Sequence, residues 1–215
     1  MVTALIKEAI PEAIGEKRVT LYCASWEAYR AIAQALGEGR SARLTYDHNV
    51  LEVVMPLEIH EFARAMFEVF VRNLVMELGM GLKTMGSTTL EREDLARGAE
   101  PDNAYYIQNQ PVVTGRDVDL QNDPPPDLVI EIDITHTDID KLNLYACMGV
   151  PEFWRYNGQV WRIYSLQNDI YVELENSPTF PNVPKVWLYE FLIVARQNEM
   201  AAEMALRRRI REQLC

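Results

Sequence analysis

In DLVIEID at residues 127–133 the acids fall only on odd positions and the even positions are all apolar, whereas in IHEFARAMFEVFVRNLVMELGM, from residue 59, apolar residues return every three or four positions. The first rhythm predicts a strand with unlike faces and the second an amphipathic helix, which Gly79 and Gly81 follow. The same reading gives a helix over ASWEAYRAIAQAL at 24–36, with Trp26, Tyr29, Ile32 and Leu36 on one face and GEG ending it. RLTYDHNVLEVVMP reads as two short strands around Asp47-His48-Asn49. GLKTMGSTTLERED reads as a strand running into a charged loop, and EPDNAYYIQN as a strand with Pro101 at its start, where the missing N–H does least harm. Residues 111–126 read as a loop that PPP stiffens ahead of DLVIEID. DIDKLNLYACMG then reads as a helix stopped by Gly149, and VPEFWRYNGQVWRIYSLQNDIYVELEN as strands with a turn at Asn157-Gly158. The last thirty or so residues read as one long helix.

This order predicts an α/β (α+β) mixed-sheet domain with flanking helices and a C-terminal helical extension. Its expected parts are a helical lead-in packed on the core over 1–40, the core itself over 41–185, and a C-terminal helix over 186–215.

A chain of 215 residues, 48% hydrophobic and 25% charged, can bury a core without covalent staples. The three cysteines, Cys23, Cys147 and Cys215, are far apart and form no C-x-x-C pair, which points to free thiols in a reducing, cytoplasmic setting. The first residues carry acids and no clean apolar stretch of the export type, and no apolar run is of spanning length. The net charge of −11 argues against a broad nucleic-acid-binding surface but leaves room for a local basic site.

The alternation in DLVIEID puts Asp127, Val129, Glu131 and Asp133 on one strand face and Leu128, Ile130 and Ile132 on the other. At ~3.3 Å per residue, Glu131 and Asp133 lie roughly 6–7 Å apart and Asp127 roughly 13 Å from Glu131. Glu131 and Asp133 can therefore serve one site, while Asp127 sits at the strand entrance as a cap or a supporting carboxylate. Carboxylates held this close repel unless a cation neutralises them, and oxygen-rich clusters suit Mg²⁺ or Mn²⁺. Asp102 can reach the same ion if its strand is the neighbour. Lys141, on the first turn of the following helix, can point back over the strand end to activate a water or steady a phosphate charge. The plainer reading is that Asp138 and Asp140 favour a helix N-terminus and Lys141 pairs with an acid at the surface.

Other residues divide in the same way. His60 opens the long helix between Glu58 and Glu61 and either contacts a phosphate or caps the helix. His136 and His48 fall in a loop and a turn. Trp154, Tyr156, Trp161 and Tyr164 read as core rather than as a base-stacking platform. Arg207, Arg208, Arg209 and Arg211 make the one strongly basic run, either a nucleic-acid contact or a cationic helix end. Leu192, Ala195, Met200, Met204 and Leu206 suggest an apolar side that docks on the body or on a second subunit.

The block PDLVIEIDITHTDIDKLNLYACMGVPEFWRYNG resembles the Uma family of endonucleases, which are similar to restriction endonucleases of the PD-(D/E)xK superfamily. Pro126-Asp127, Glu131, Lys141, Tyr145 and the segment from Gly149 to Trp154 carry the resemblance, together with the earlier Pro101-Asp102 and the helix opening near His60. It covers roughly residues 40–175. It implies a restriction-endonuclease-like core and Mg²⁺- or Mn²⁺-dependent hydrolysis of phosphodiesters in nucleic acid, DNA first. The implied ion is held by Asp102, Glu131 and the backbone carbonyl of Ile132, with Lys141 orienting or deprotonating the attacking water and Glu61 or Glu58 near the metal. It also implies a homodimer. The parent superfamily has lysine two residues after the glutamate, where this chain has Asp133. The role then falls to Lys141, and Asp133 either adds a ligand or holds Lys141 in an ion pair. Two rival readings remain: a non-catalytic interaction or regulatory protein keeping the fold, favoured by the acidic charge and the missing strand lysine, and a hydrolase of a small nucleotide. Either enzyme reading requires Asp102, Glu131 and Lys141 within about 10 Å of one another, since a shared ion and water need near-contact distances.

Overall fold

Strand β8 (Leu128–Ile132) has different layers on its two faces. Leu128, Ile130 and Ile132 enter a core with Met66, Phe67, Phe70 and Leu74 of a long helix, while Val129 turns to a second core with Leu144, Tyr145, Val150 and Phe153. Both faces of a central strand are thus buried, which explains why the acids along it are buried too.

The computed structural model describes residues 17–37 and 41–214. They form two sheets and six α-helices. The first sheet has the order β1-β3-β2-β6-β5, from β1 (Lys17–Tyr22), β2 (Arg43–Asp47), β3 (Val50–Met55), β5 (Leu90–Arg92) and β6 (Arg97–Ala99), all antiparallel. The second has the order β11-β10-β9-β8-β7-β4, adding β4 (Lys83–Thr84), β7 (Asn103–Tyr106), β9 (Glu152–Tyr156), β10 (Trp161–Gln167) and β11 (Ile170–Leu174). Its one parallel pair, β8 with β9, is joined through helix α4 (Lys141–Cys147), the crossover that parallel neighbours require.

Helix α1 (Trp26–Leu36) covers the first sheet with Tyr29, and the Ser25 hydroxyl caps it by accepting the Ala28 N–H at 3.1 Å. Helix α2 (Glu58–Glu77) lies across the second sheet, with α5 (Lys185–Ala195) and α6 (Glu199–Leu214) beside it. Helix α3 (Gln110–Val113) is a single turn. No helix among the described residues is long and apolar enough to cross a membrane.

The aromatic stretch is core. Trp154, Tyr156 and Trp161 pack under α2 and Tyr164 on the opposite face, with the two indoles edge-on at 4.7 Å. Several expectations need correction. Residues 17–22, within the segment read as a helical lead-in, form a strand paired with β3; residues 1–16 of that lead-in lie outside the described residues. The strand expected from Pro101 begins at Asn103, and β6 precedes it in the other sheet. The stretch read as one C-terminal helix is two, because the Asn198 side chain accepts the Ala201 N–H at 3.0 Å and starts α6 afresh. Leu192, Ala195 and Leu206 are buried, whereas Met200 and Met204 point outward at 66% and 70% exposure, so no single apolar side joins all five.

Candidate active site

The chain passes from the first sheet to the second between β6 and β7 through Glu100, Pro101 and Asp102, two of them acidic. The Glu100 N–H still bonds the Leu44 carbonyl of β2, while Asn103 already pairs with Ile130 of β8. Asp102 lies between these two commitments. Continuing the β7–β8 register by one residue sets Asp102 beside Glu131, and its Oδ2 accepts the Ile132 N–H at 2.6 Å. The sequence places an acid here because the crossing ends one ladder and begins another, leaving a backbone donor for a side chain to satisfy.

Helix α4 supplies the cation. Asp140 caps it by accepting the Asn143 N–H at 3.1 Å. Lys141 and Tyr145 then fall four residues apart on one helix face, and both reach Glu131. Lys141 Nζ donates to Glu131 Oε2 at 2.8 Å and to Asp133 Oδ1 at 2.6 Å, and the Tyr145 hydroxyl donates to Glu131 Oε1. The loop ahead of α4 is pinned from the first sheet: Glu52 of β3 accepts the Asp138 N–H at 2.6 Å and the Thr137 hydroxyl, and also pairs with Arg18 of β1.

Three further groups complete the cluster. Arg155 of β9, opposite Glu131 in the parallel register, donates to Asp133 Oδ2 at 2.9 Å. Arg43 of β2 pairs with Asp102 Oδ1 and reaches Glu61 Oε1 at 2.8 Å. His60 Nε2 stands 3.2 Å from Asp102 Oδ1. Asp102, Glu131, Ile132 and Lys141 line one small cavity of about 20 Å³, room for a single water or ion. Asp102, Glu131 and Lys141 therefore meet at one point.

Burial pushes the Glu131 carboxyl above the usual carboxylate range, although Lys141 pulls the other way. Burial also acts on Asp133, but Lys141 and Arg155 outweigh it and hold that group below the usual value. Burial opposes the charge on Lys141, and Asp133 and Glu131 overcome it, so its pKa is raised and the ammonium is kept. Burial and the facing Arg43 lower His60 to about 4, which leaves its imidazole neutral at pH 7.

Among the described residues no three or more His, Cys, Asp or Glu side chains group as metal ligands. Asp133 has both oxygens turned to cations, Glu131 accepts from Lys141 and Tyr145, and Asp102 pairs with Arg43 and accepts the Ile132 N–H, so any ion here takes the place of one of these donors. Asp102 and Glu131, with Ile132 on the same wall, are an oxygen set that fits one hard divalent ion. Arg43 already stands beside Asp102 as a cation.

The remaining sequence candidates lie elsewhere. Asp127 accepts the Ile107 and Asn109 N–H groups at 2.7 and 2.9 Å, which makes it a brace at the strand entrance. Glu58 is exposed on the first turn of α2. His136 is exposed in its loop beside Asp138, and His48 in its turn pairs with Asp47. Arg207 and Arg211 pair with Glu77 of α2, and Arg209 pairs with Glu190 and lies over the Trp187 ring at 5.4 Å, with Arg208 exposed between them. Cys23 and Cys147 are exposed free thiols, and Cys215 lies outside the described residues.

Sequence reasoning gave no site role to Arg43, Arg155 or Tyr145. Tyr145 was within reach of it, four residues beyond Lys141 on the same helix face. The two arginines carried no local signal.

The model of the Uma2 family, described as "Putative restriction endonuclease", matches residues 26–190, from α1 into α5. No curated protein matches the chain.

Proposed function

The chain belongs to the Uma2 family, and on that premise we propose that it is a metal-dependent endonuclease hydrolysing phosphodiester bonds of nucleic acid, with DNA as the first substrate to test. The observation that carries this reading is the meeting of Asp102, Glu131 and Lys141 at one cavity from three separate elements. A strand built only for packing has no use for buried carboxylates gathered with a lysine at one cavity.

In this reading Asp102, Glu131 and the Ile132 carbonyl hold a Mg²⁺ or Mn²⁺ ion. Such an ion, when bound, polarises a phosphoryl oxygen and lowers the pKa of a water. Lys141 donates hydrogen bonds from a fixed position; flanked by two acids it stays an ammonium, which suits it to orient a water and stabilise phosphate charge rather than to take a proton. Asp133 and Arg155 keep that ammonium in place, and Tyr145 fixes the rotamer of Glu131. His60, neutral and beside Asp102, orients that carboxylate. A homodimer would present two such centres to a duplex, and light scattering reads that assembly directly.

A second reading, a non-catalytic protein on this fold, draws on one observation: Asp102, Glu131 and Asp133 all have their oxygens engaged by the protein's own donors. Nicking of supercoiled plasmid DNA with Mg²⁺ or Mn²⁺ separates the two. The nuclease reading expects cleavage by the wild type that vanishes with chelator and in both Asp102→Asn and Glu131→Gln. Cleavage that persists in both variants removes Asp102 and Glu131 from the chemistry, and no cleavage of DNA or RNA by a folded wild type turns the assignment to the non-catalytic protein.

A further inference from the structure

Arg43 is the cation in this cluster best placed to leave. Lys141 lies between two buried carboxylates, with its side chain 7% exposed, so moving it would leave Glu131 without a cation and Asp133 with one in place of two. Arg155 holds Asp133, which lies to one side of the Asp102–Glu131 pair. Arg43 instead spans from the inside outward: one guanidinium nitrogen pairs with Asp102, and the other meets Glu61, whose side chain is 40% exposed. Beside it opens a cleft of about 760 Å³ that Arg43 and Glu61 line along with Ser87 and Thr88. The guanidinium therefore has a carboxylate to follow and open space to enter.

We propose that Arg43 is a movable counter-ion: it neutralises Asp102 while no metal is bound, and it turns outward to Glu61 and the cleft when a divalent cation takes its place. The inference rests on the metal-site reading above and goes beyond it by naming what the ion displaces. Two positive centres cannot share Asp102 Oδ1 in a cavity with room for one water-sized group. Asp102 is bonded to Arg43, Glu131 to Lys141, and Asp133 to Lys141 and Arg155, so a dication enters at least cost by releasing the arginine bonded to one of its own ligands. Metal affinity is then set partly by how firmly Arg43 holds Asp102.

Titration calorimetry with MnCl₂ and MgCl₂, on the wild type and on Arg43→Gln, Arg155→Gln and Asp102→Asn, tests this. Removing the resident cation is expected to tighten binding about ten- to hundredfold in Arg43→Gln, the scale on which one close charge moves an ionic equilibrium. Arg155→Gln, which removes the same charge from a residue that has no need to move, is expected to tighten it less. Arg43→Lys keeps the charge but loses the forked grip, so it is expected to fall between wild type and Arg43→Gln, and it carries the test if the glutamine variant does not fold. Metal binding by the wild type that is lost in Asp102→Asn but unchanged or weaker in the Arg43 variants overturns the counter-ion role and leaves the metal site standing. Equal tightening in Arg43→Gln and Arg155→Gln overturns it as well, since general electrostatics then suffices. Binding in none of the proteins overturns this proposal and the metal-site reading together.

Discussion

Lys141 and Glu131 form a buried ion pair at 2.8 Å between the first turn of α4 and the middle of β8. The pair, with Asp133, ties the crossover helix to the strand it follows. Replacing Lys141 with Met leaves two carboxylates buried without their shared cation. The expected loss is about 3–5 kcal/mol of folding stability, the usual result of breaking one side of a buried pair. Urea denaturation read by tryptophan fluorescence checks this, and a loss within experimental error would mean that the buried acids do not depend on this cation.

Tyr145 donates to the other oxygen of Glu131. Tyr145→Phe keeps the ring packed against Phe153 and removes only the hydroxyl, leaving a buried acceptor without its donor. About 1–3 kcal/mol should be lost. In the background of Glu131→Gln the same substitution should cost clearly less, because the charged acceptor is gone. A double-mutant cycle on urea midpoints measures that coupling.

Asp127 shares the strand face of Glu131 yet serves the opposite end. Asp127→Ala strands the backbone N–H groups of Ile107 and Asn109, for an expected loss of about 1–3 kcal/mol per buried group. Divalent-cation affinity should stay at the wild-type value. A melting curve paired with metal calorimetry reads both, and a fall in affinity without a fall in stability would return Asp127 to the site.

Glu77 accepts from Arg211 and Arg207, and these donors depress its pKa to about 2. A folded-state pKa below the unfolded value means that the contribution is present above the ordinary glutamate range, about 4.3, and fades as pH falls toward 2. Docking of α6 on α2 should therefore loosen across that window, and Glu77→Gln should flatten the dependence while weakening α6 at neutral pH. Amide exchange of α6 followed from pH 5 to pH 3 gives the comparison. Identical exchange in wild type and variant at every pH would rule this link out.

The local periods along the chain were sufficient for several conclusions. The two-residue period of a strand assigned Leu128, Ile130 and Ile132 to a different face from Glu131, since neighbouring side chains on a strand point oppositely whatever lies around them. The three- and four-residue recurrence fixed α2, and the turn residues Asn157 and Gly158 marked the β9–β10 connection. The spacing of Glu131, Asp133 and Lys141 was enough to nominate them as one group. The chain could not state its long-range pairings in this local code. Arg43 meets Asp102 only because two sheets abut where β6 gives way to β7, and Arg155 meets Asp133 only because β9 returns parallel to β8. The division of the C-terminal helix came down to one side-chain cap, at Asn198. Periodicity is set by a residue's immediate neighbours, whereas the partner of a buried charge is set by which distant strand lies beside it, and that choice belongs to the packing of the whole core.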